Sequence, residues 1–144
     1  MTATTTANYS LPSPAPIGES SKLMAANVNI PLGSYVGLLN GYAVPAADTA
    51  SLLFWGQAQE SKDNGGGSAG ALSVLCQSPY ENPNKRLFGF YMANPVQANI
   101  GAKVYVLDNQ TVGLTSTNSV YVGRIDQIVT TGPLGVVIVG VVLQ

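Results

Sequence analysis

The sequence has no histidine, a single cysteine and few charged residues, and each scarcity argues against a class of function. Histidine is the commonest general base and metal ligand, and its absence removes the hub of Ser-His-Asp and Cys-His catalysis. The seven Asp and Glu residues are widely spaced, so the fold alone would have to assemble a carboxylate pair for acid–base chemistry. We therefore predict no enzymatic activity, no catalytic or metal-binding residue, and no cofactor.

Basic clusters and long apolar runs are also missing. The six Lys and Arg residues are scattered, with only Lys85 and Arg86 adjacent, which argues against neutralisation of nucleic-acid phosphates. The most hydrophobic run, Leu134–Leu143, is half of the roughly twenty residues that a membrane-spanning helix needs. Residues 1–10 lack the charged and apolar regions of a cleavable signal, and Cys76 has no disulfide partner. We expect no nucleic acid or membrane partner, synthesis in the cytosol, and a buried apolar role for Cys76.

The chain divides into an N-terminal arm, residues 1–27, and a β domain, residues 28–144. The first part of the arm is rich in Thr, Ala, Ser and Pro, and its "LPSPAP" stretch favours an extended polyproline-type path. The arm is interpreted either as a disordered terminus or as a segment that orders against a neighbouring subunit.

Turn residues and short β-rich runs predict the fold of the domain. Asn40-Gly41 supplies the two positive-φ positions of a type I′ turn, which pairs Leu39 with Tyr42. The run "LLFWGQAQ" predicts a strand, "KVYVLDNQTVGLT" predicts a hairpin, and Gly123 marks a bulge where the apolar phase slips. About seven short strands and no convincing helix indicate an all-β fold, a small antiparallel β sandwich or barrel.

Several motifs resemble functional sites but are interpreted as structural features of turns, loops or the core. Gly65, Gly67 and Gly70 match the spacing G-x-G-x-x-G, yet no strand leads into them and no helix follows, so a mobile hairpin loop is predicted. Asp63 and Asp108 each precede an Asn and are interpreted as turn residues, not calcium ligands. The aromatic residues that could line a sugar platform are interpreted as core or interface residues; they are Tyr35, Tyr42, Trp55, Tyr80 and Tyr91.

The terminal strand is apolar on both alternating faces, whereas a strand with one face on the core should alternate with polar residues. Something must therefore cover its second face. One interpretation is that the arm or a loop covers it within the same chain, and the other is a subunit interface. The candidate oligomer-interface residues are Val136, Val137, Ile138, Val139, Val141, Val142 and Leu143.

With these features, the sequence resembles the capsid cement, or head decoration, proteins of tailed bacteriophages. The likeness extends from about Gly33 to the C-terminal residue and is one of spacing, not of catalytic signatures. It is carried by "GYAVPAADTA" (Gly41–Ala50), "FWGQAQESKDNGGGSAGALSVL" (Phe54–Leu75), "IGAKVYVLDNQTV" (Ile100–Val112) and "VGRIDQI" (Val122–Ile128).

The resemblance implies a structural protein on the outer surface of the virion, which stabilises the capsid by bridging adjacent major capsid subunits. The expected partners are the major capsid protein and further copies of the chain, with a trimer favoured and a dimer possible. Low charge and abundant Ser, Thr, Asn and Gln suit a wide interface that closes without desolvating many ions. The alternatives are a phage tail or baseplate component and a carbohydrate-binding β module.

Overall fold

The structure, a computed structural model, describes residues 19–144 and has an all-β architecture in this range. Its strands are β1 (Glu19–Leu23), β2 (Asn29–Ile30), β3 (Tyr35–Leu39), β4 (Tyr42–Pro45), β5 (Leu53–Ala58), β6 (Lys62–Asp63), β7 (Ser73–Gln77), β8 (Leu87–Met92), β9 (Lys103–Val106), β10 (Val112–Gly113), β11 (Tyr121–Thr130) and β12 (Gly135–Val141). The only helical element in the described range is a 3-10 turn at Gln97–Asn99. No helix there is long and apolar enough to span a membrane.

Two five-stranded antiparallel sheets make up the body, and each curls toward closure. The first sheet has the order β1-β7-β5-β3-β4, and its outer strands approach through a bridge between Met24 and Ala43. The second sheet has the order β10-β9-β11-β12-β8, and its edges meet where the Tyr91 N–H donates to the Gln110 carbonyl. Strands β2 and β6 form a separate small pair. The predicted antiparallel sandwich or barrel is confirmed.

Local turn chemistry predicted from the sequence is present in the fold. Asn40 and Gly41 both have positive φ, and Leu39 lies opposite Tyr42. In β11 the register against β9 shifts between Tyr121 and Gly123. A Cβ on Gly123 would overlap the Gly140 carbonyl oxygen of β12, so this bulge lets two backbones approach more closely than any side chain permits.

The β body starts earlier than the sequence indicates. Strand β1 pairs with β7 from Glu19 to Leu23, and Met24 is fully buried. The described part of the expected arm, residues 19–27, therefore belongs to the β structure, and residues 1–18 lie outside the described residues. The sequence "ESSKL" lacks apolar alternation, because this strand is held by its backbone pairing to β7 and not by side-chain burial.

Two buried clusters form the interior. The larger lies between the two sheets and joins Tyr35 and Phe54 of the first sheet to Phe88 and Phe90 of the second. The Tyr35 and Phe90 rings stack at 4.0 Å between centroids, and the Tyr35 hydroxyl donates to the Gly89 carbonyl at 2.5 Å. The smaller cluster lies within the curl of the first sheet and consists of Met24, Ile30, Val36, Ala43, Ala58, Val74 and Cys76. The aromatic contact across the larger cluster fixes one sheet against the other.

Candidate functional site

The carboxylates that are placed at turns serve as backbone caps. Asp63 accepts the Gly65 N–H at 2.8 Å, and Asp108 accepts the Gln110 N–H at 2.9 Å. Both are therefore the turn residues that the sequence predicts. Asp48 accepts the Thr117 and Asn118 N–H groups, and these bonds hold the pKa of its carboxyl below the usual value. Within residues 19–144, no group of three His, Cys, Asp or Glu residues could hold a metal ion.

Cys76 is fully buried in the smaller core cluster, as the sequence predicts. Burial raises the pKa of its thiol to about 11 because the thiolate would lose its hydration. Nucleophilic and metal-binding chemistry both require the thiolate, so this cysteine is poorly suited to either at neutral pH.

The glycine-rich loop is organised around a buried amide. Asn64 is 3% exposed, and its side-chain nitrogen donates to the carbonyls of Ala25 and Ser68 at 2.9 and 3.0 Å. The Gly67 N–H in turn donates to the Asn64 carbonyl. The glycines thus wrap closely around a structural side chain, because a Cβ on Gly67 would overlap the Asn64 amide oxygen. Hydrogen bonds from Asn64 hold the loop against the body. The sequence pattern predicts a mobile hairpin loop and does not predict these contacts.

The aromatic residues considered for a sugar platform are divided between different parts of the fold. Tyr35 lies in the larger core cluster, and Tyr91 is 40% exposed on the second sheet. Trp55 and Tyr80 stack on each other at 5.0 Å with nearly parallel rings, and Lys22 lies over the Trp55 ring. Each of these two rings therefore offers one face to the other instead of to a ligand.

The terminal strand β12 divides the candidate interface residues between two environments. Val137, Val139 and Val141 point into the larger core cluster and are at most 4% exposed. These three are removed from the candidate interface, because their side chains are already buried against Phe88, Phe90 and Ile125 of the same cluster. Val136 and Ile138 point outward and are half-buried, while Val142 and Leu143 follow the end of the strand.

The outward residues of β12 join those of the neighbouring edge strand β8 into an apolar surface. Val136 lies opposite Tyr91, and Ile138 lies opposite Gly89; Leu87 lies two pairs further along, opposite Gly140. Leu87 is 52% exposed although it is a large aliphatic residue. We call Leu87, Tyr91, Val136 and Ile138 the outer apolar face.

Polar residues border this face on its β11 side. Arg124 is paired with Gly140, Gln127 with Ile138 and Thr130 with Val136. Arg124 and Gln127 are exposed, and the Arg124 guanidinium donates to the Gly101 carbonyl. An apolar centre with a polar margin is the usual anatomy of a protein–protein interface.

A groove of about 610 Å³ opens beside the outer apolar face, between the two sheets. The stretch Pro31–Tyr35 and Gln57 line it from the first sheet, and Gly89–Tyr91, Asn109, Gln110 and Val136 line it from the second. None of these side chains is charged. This groove could not be found from the sequence, because its walls come from five separate stretches that only the packing of the two sheets brings together.

The chain was compared with models of protein families, with curated proteins and with solved structures. None of the three comparisons finds a match.

Proposed function

We propose that the protein is a structural component of a tailed-phage virion, which decorates the outer surface of the capsid and bridges adjacent major capsid subunits. The sequence resemblance to cement proteins supports this proposal, and the all-β body is compatible with it. The protein is made in the cytoplasm of the bacterial host and acts on the assembled shell.

The outer apolar face is the observation that carries the proposal. Three aliphatic side chains and one tyrosine lie together on the outer side of β8 and β12, away from the core: Leu87, Val136, Ile138 and Tyr91. Their burial against a partner would release water from apolar surface, at about 25 cal/mol for each Å² buried. A surface of this kind, bordered by polar residues, marks an interaction site more often than a solvent-facing sheet.

A second copy of the chain covers the outer apolar face in this proposal, and the assembly is a trimer in preference to a dimer. Self-association places several shell-binding surfaces on one particle, so that weak individual contacts act together through avidity. The shell contact itself spreads over many modest neutral contacts, because the chain has few charges to concentrate in one anchor.

Cosedimentation with undecorated shells of the cognate phage tests the function. We expect the protein to pellet with shells, to saturate at a fixed copy number, and to raise the temperature at which the shells come apart. Tail and baseplate assemblies prepared in the same way serve as a second target, and a glycan panel as a third. Absence of shell binding, or preferential binding to tails or glycans, would remove the cement assignment.

A further inference from the structure

The groove between the sheets has the chemistry of a site for a neutral, proline-rich peptide. Its walls offer the exposed ring of Tyr91, the aliphatic side chain of Leu32 and the ring of Pro31. Asn109 and Gln110 also line the groove, and their side-chain amides can donate hydrogen bonds. Polyproline-type helices dock in grooves of this composition, because their rings pack on aromatic side chains and their carbonyls are free to accept hydrogen bonds.

The chain itself supplies a segment of matching chemistry. Residues 11–17 read "LPSPAPI", with proline at every second position from Pro12 to Pro16. No Asp, Glu, Lys or Arg occurs in the eighteen residues before Glu19. A neutral segment facing a neutral groove loses no ion hydration on docking, and proline lowers the conformational entropy that docking costs.

The position of Glu19 places this segment within reach of the groove. Glu19 is paired with Gln77, Gln77 with Gln57, and Gln57 with Tyr35, so all four lie in one row across the first sheet. Gln57 and Tyr35 line the groove, and three strand spacings separate Glu19 from Tyr35, about 14 Å at ~4.8 Å each. Glu19 lies eight residues after Leu11, a distance of about 25 Å in the polyproline conformation at ~3.1 Å per residue.

We propose that the groove is the docking site of Leu11–Ile17 of the same chain, which binds as an extended proline-rich strap across both sheets. The groove takes its walls from both sheets, so a bound strap ties the first sheet to the second in addition to the aromatic core. The proposal does not rest on the capsid assignment.

Paramagnetic labelling of the full-length chain tests the strap. A nitroxide attached to Ala15→Cys can be placed selectively, because Cys76 is fully buried and its thiol pKa is raised to about 11. We expect the amide resonances of Gly89, Tyr91 and Gln110 to lose most of their intensity relative to the reduced label. Leu32→Ser in the groove should restore that intensity. Leu134→Ser is the control outside the groove and should not restore it, although Leu134 is 60% exposed and Leu32 is 63% exposed.

A mixed sample distinguishes the strap of the same chain from that of a neighbour. Isotope-labelled chains without a nitroxide are combined with unlabelled chains that carry it, and the proposal predicts much weaker broadening of the three groove amides in this mixture than in chains that carry both labels. Equal or stronger broadening in the mixture would assign the groove to the segment of a second copy and overturn the proposal.

A variant without a nitroxide tests the same docking in case the label itself prevents the segment from entering the groove. Replacing Pro12, Pro14 and Pro16 together by Gly should shift the same three groove amides relative to the unsubstituted chain. Unshifted amides together with an absence of broadening at position 15 would overturn the proposal.

Discussion

The two sheets differ in the side chains that they bury and expose. The first sheet closes its curl through the Met24–Ala43 bridge, and the buried polar side chains of the described residues, Asn64 and Ser78, belong to its loops. The second sheet has an all-apolar inner face and an outer face where Leu87, Tyr91, Val136 and Ile138 are also apolar. Both sheets thus close by hydrogen bonds within the chain, and the second also retains apolar outer surface that a partner can cover.

A charge on the inner face of β12 should lower the stability of the protein more than any other substitution proposed. Val139→Asp places a carboxylate in the larger core cluster without a partner, and we expect a loss of more than about 4 kcal/mol in the free energy of unfolding. Ile138→Asp, one residue away on the outer face, should cost only about 1 kcal/mol, because water reaches that side. Urea unfolding followed by circular dichroism measures both, and equal losses would contradict the division between faces.

Asn64→Ala tests the dependence of the first sheet on buried polar groups. The substitution removes two hydrogen bonds and leaves the carbonyls of Ala25 and Ser68 without these donors, so we expect a loss of about 2–3 kcal/mol in the free energy of unfolding. Asn118→Ala, which removes an exposed amide that donates to the Asp48 carbonyl, is the control and should cost less than about 1 kcal/mol. If the two variants unfold alike, the glycine loop does not depend on its buried amide.

The core of the first sheet should also respond to alkaline pH through Cys76. Because the folded-state pKa of this thiol is raised to about 11, its stabilising contribution is full below the unfolded pKa of about 8.5 and is lost as the pH rises between these values. We expect the free energy of unfolding to fall between about pH 8.5 and about pH 11, and to fall less steeply in Cys76→Ala. Parallel pH profiles of the two proteins would contradict this role of the thiol.

The smallest effect on stability is expected from charges on the outer faces of the two sheets. Leu87→Asp on the second sheet and Leu23→Asp on the first are matched, since these leucines are 52% and 53% exposed. Each should change the free energy of unfolding of the isolated monomer by less than about 0.5 kcal/mol, because surface substitutions rarely do more. Only Leu87→Asp should reduce the mass measured by light scattering toward that of a monomer. A monomeric unsubstituted protein, or dissociation by both variants, would show that the outer apolar face does not mediate self-association.

Local signals in the sequence account for much of the fold. Asn40-Gly41 predicts its hairpin because positive φ at two consecutive positions is a strong backbone requirement, and Gly123 predicts its bulge because the apolar phase changes there. The alternation of Val104 and Val106 likewise identifies a strand with one face in the core.

Features that depend on distant contacts could not be predicted in this way. Strand β1 carries no apolar pattern of its own, so its membership in the first sheet becomes visible only through its pairing with β7. In β12 both alternating sets are apolar, and which set enters the core is decided by the position of Phe88 and Phe90 on β8. The groove is a product of sheet packing, and its lining residues share no spacing along the chain.

An image reconstruction of shells incubated with the protein tests the central claim most directly. We expect density for this chain on the outer surface of the shell, with Leu87, Tyr91, Val136 and Ile138 buried against a neighbouring copy. Shells without added density, or bound protein whose outer apolar face points into solvent, would contradict the account.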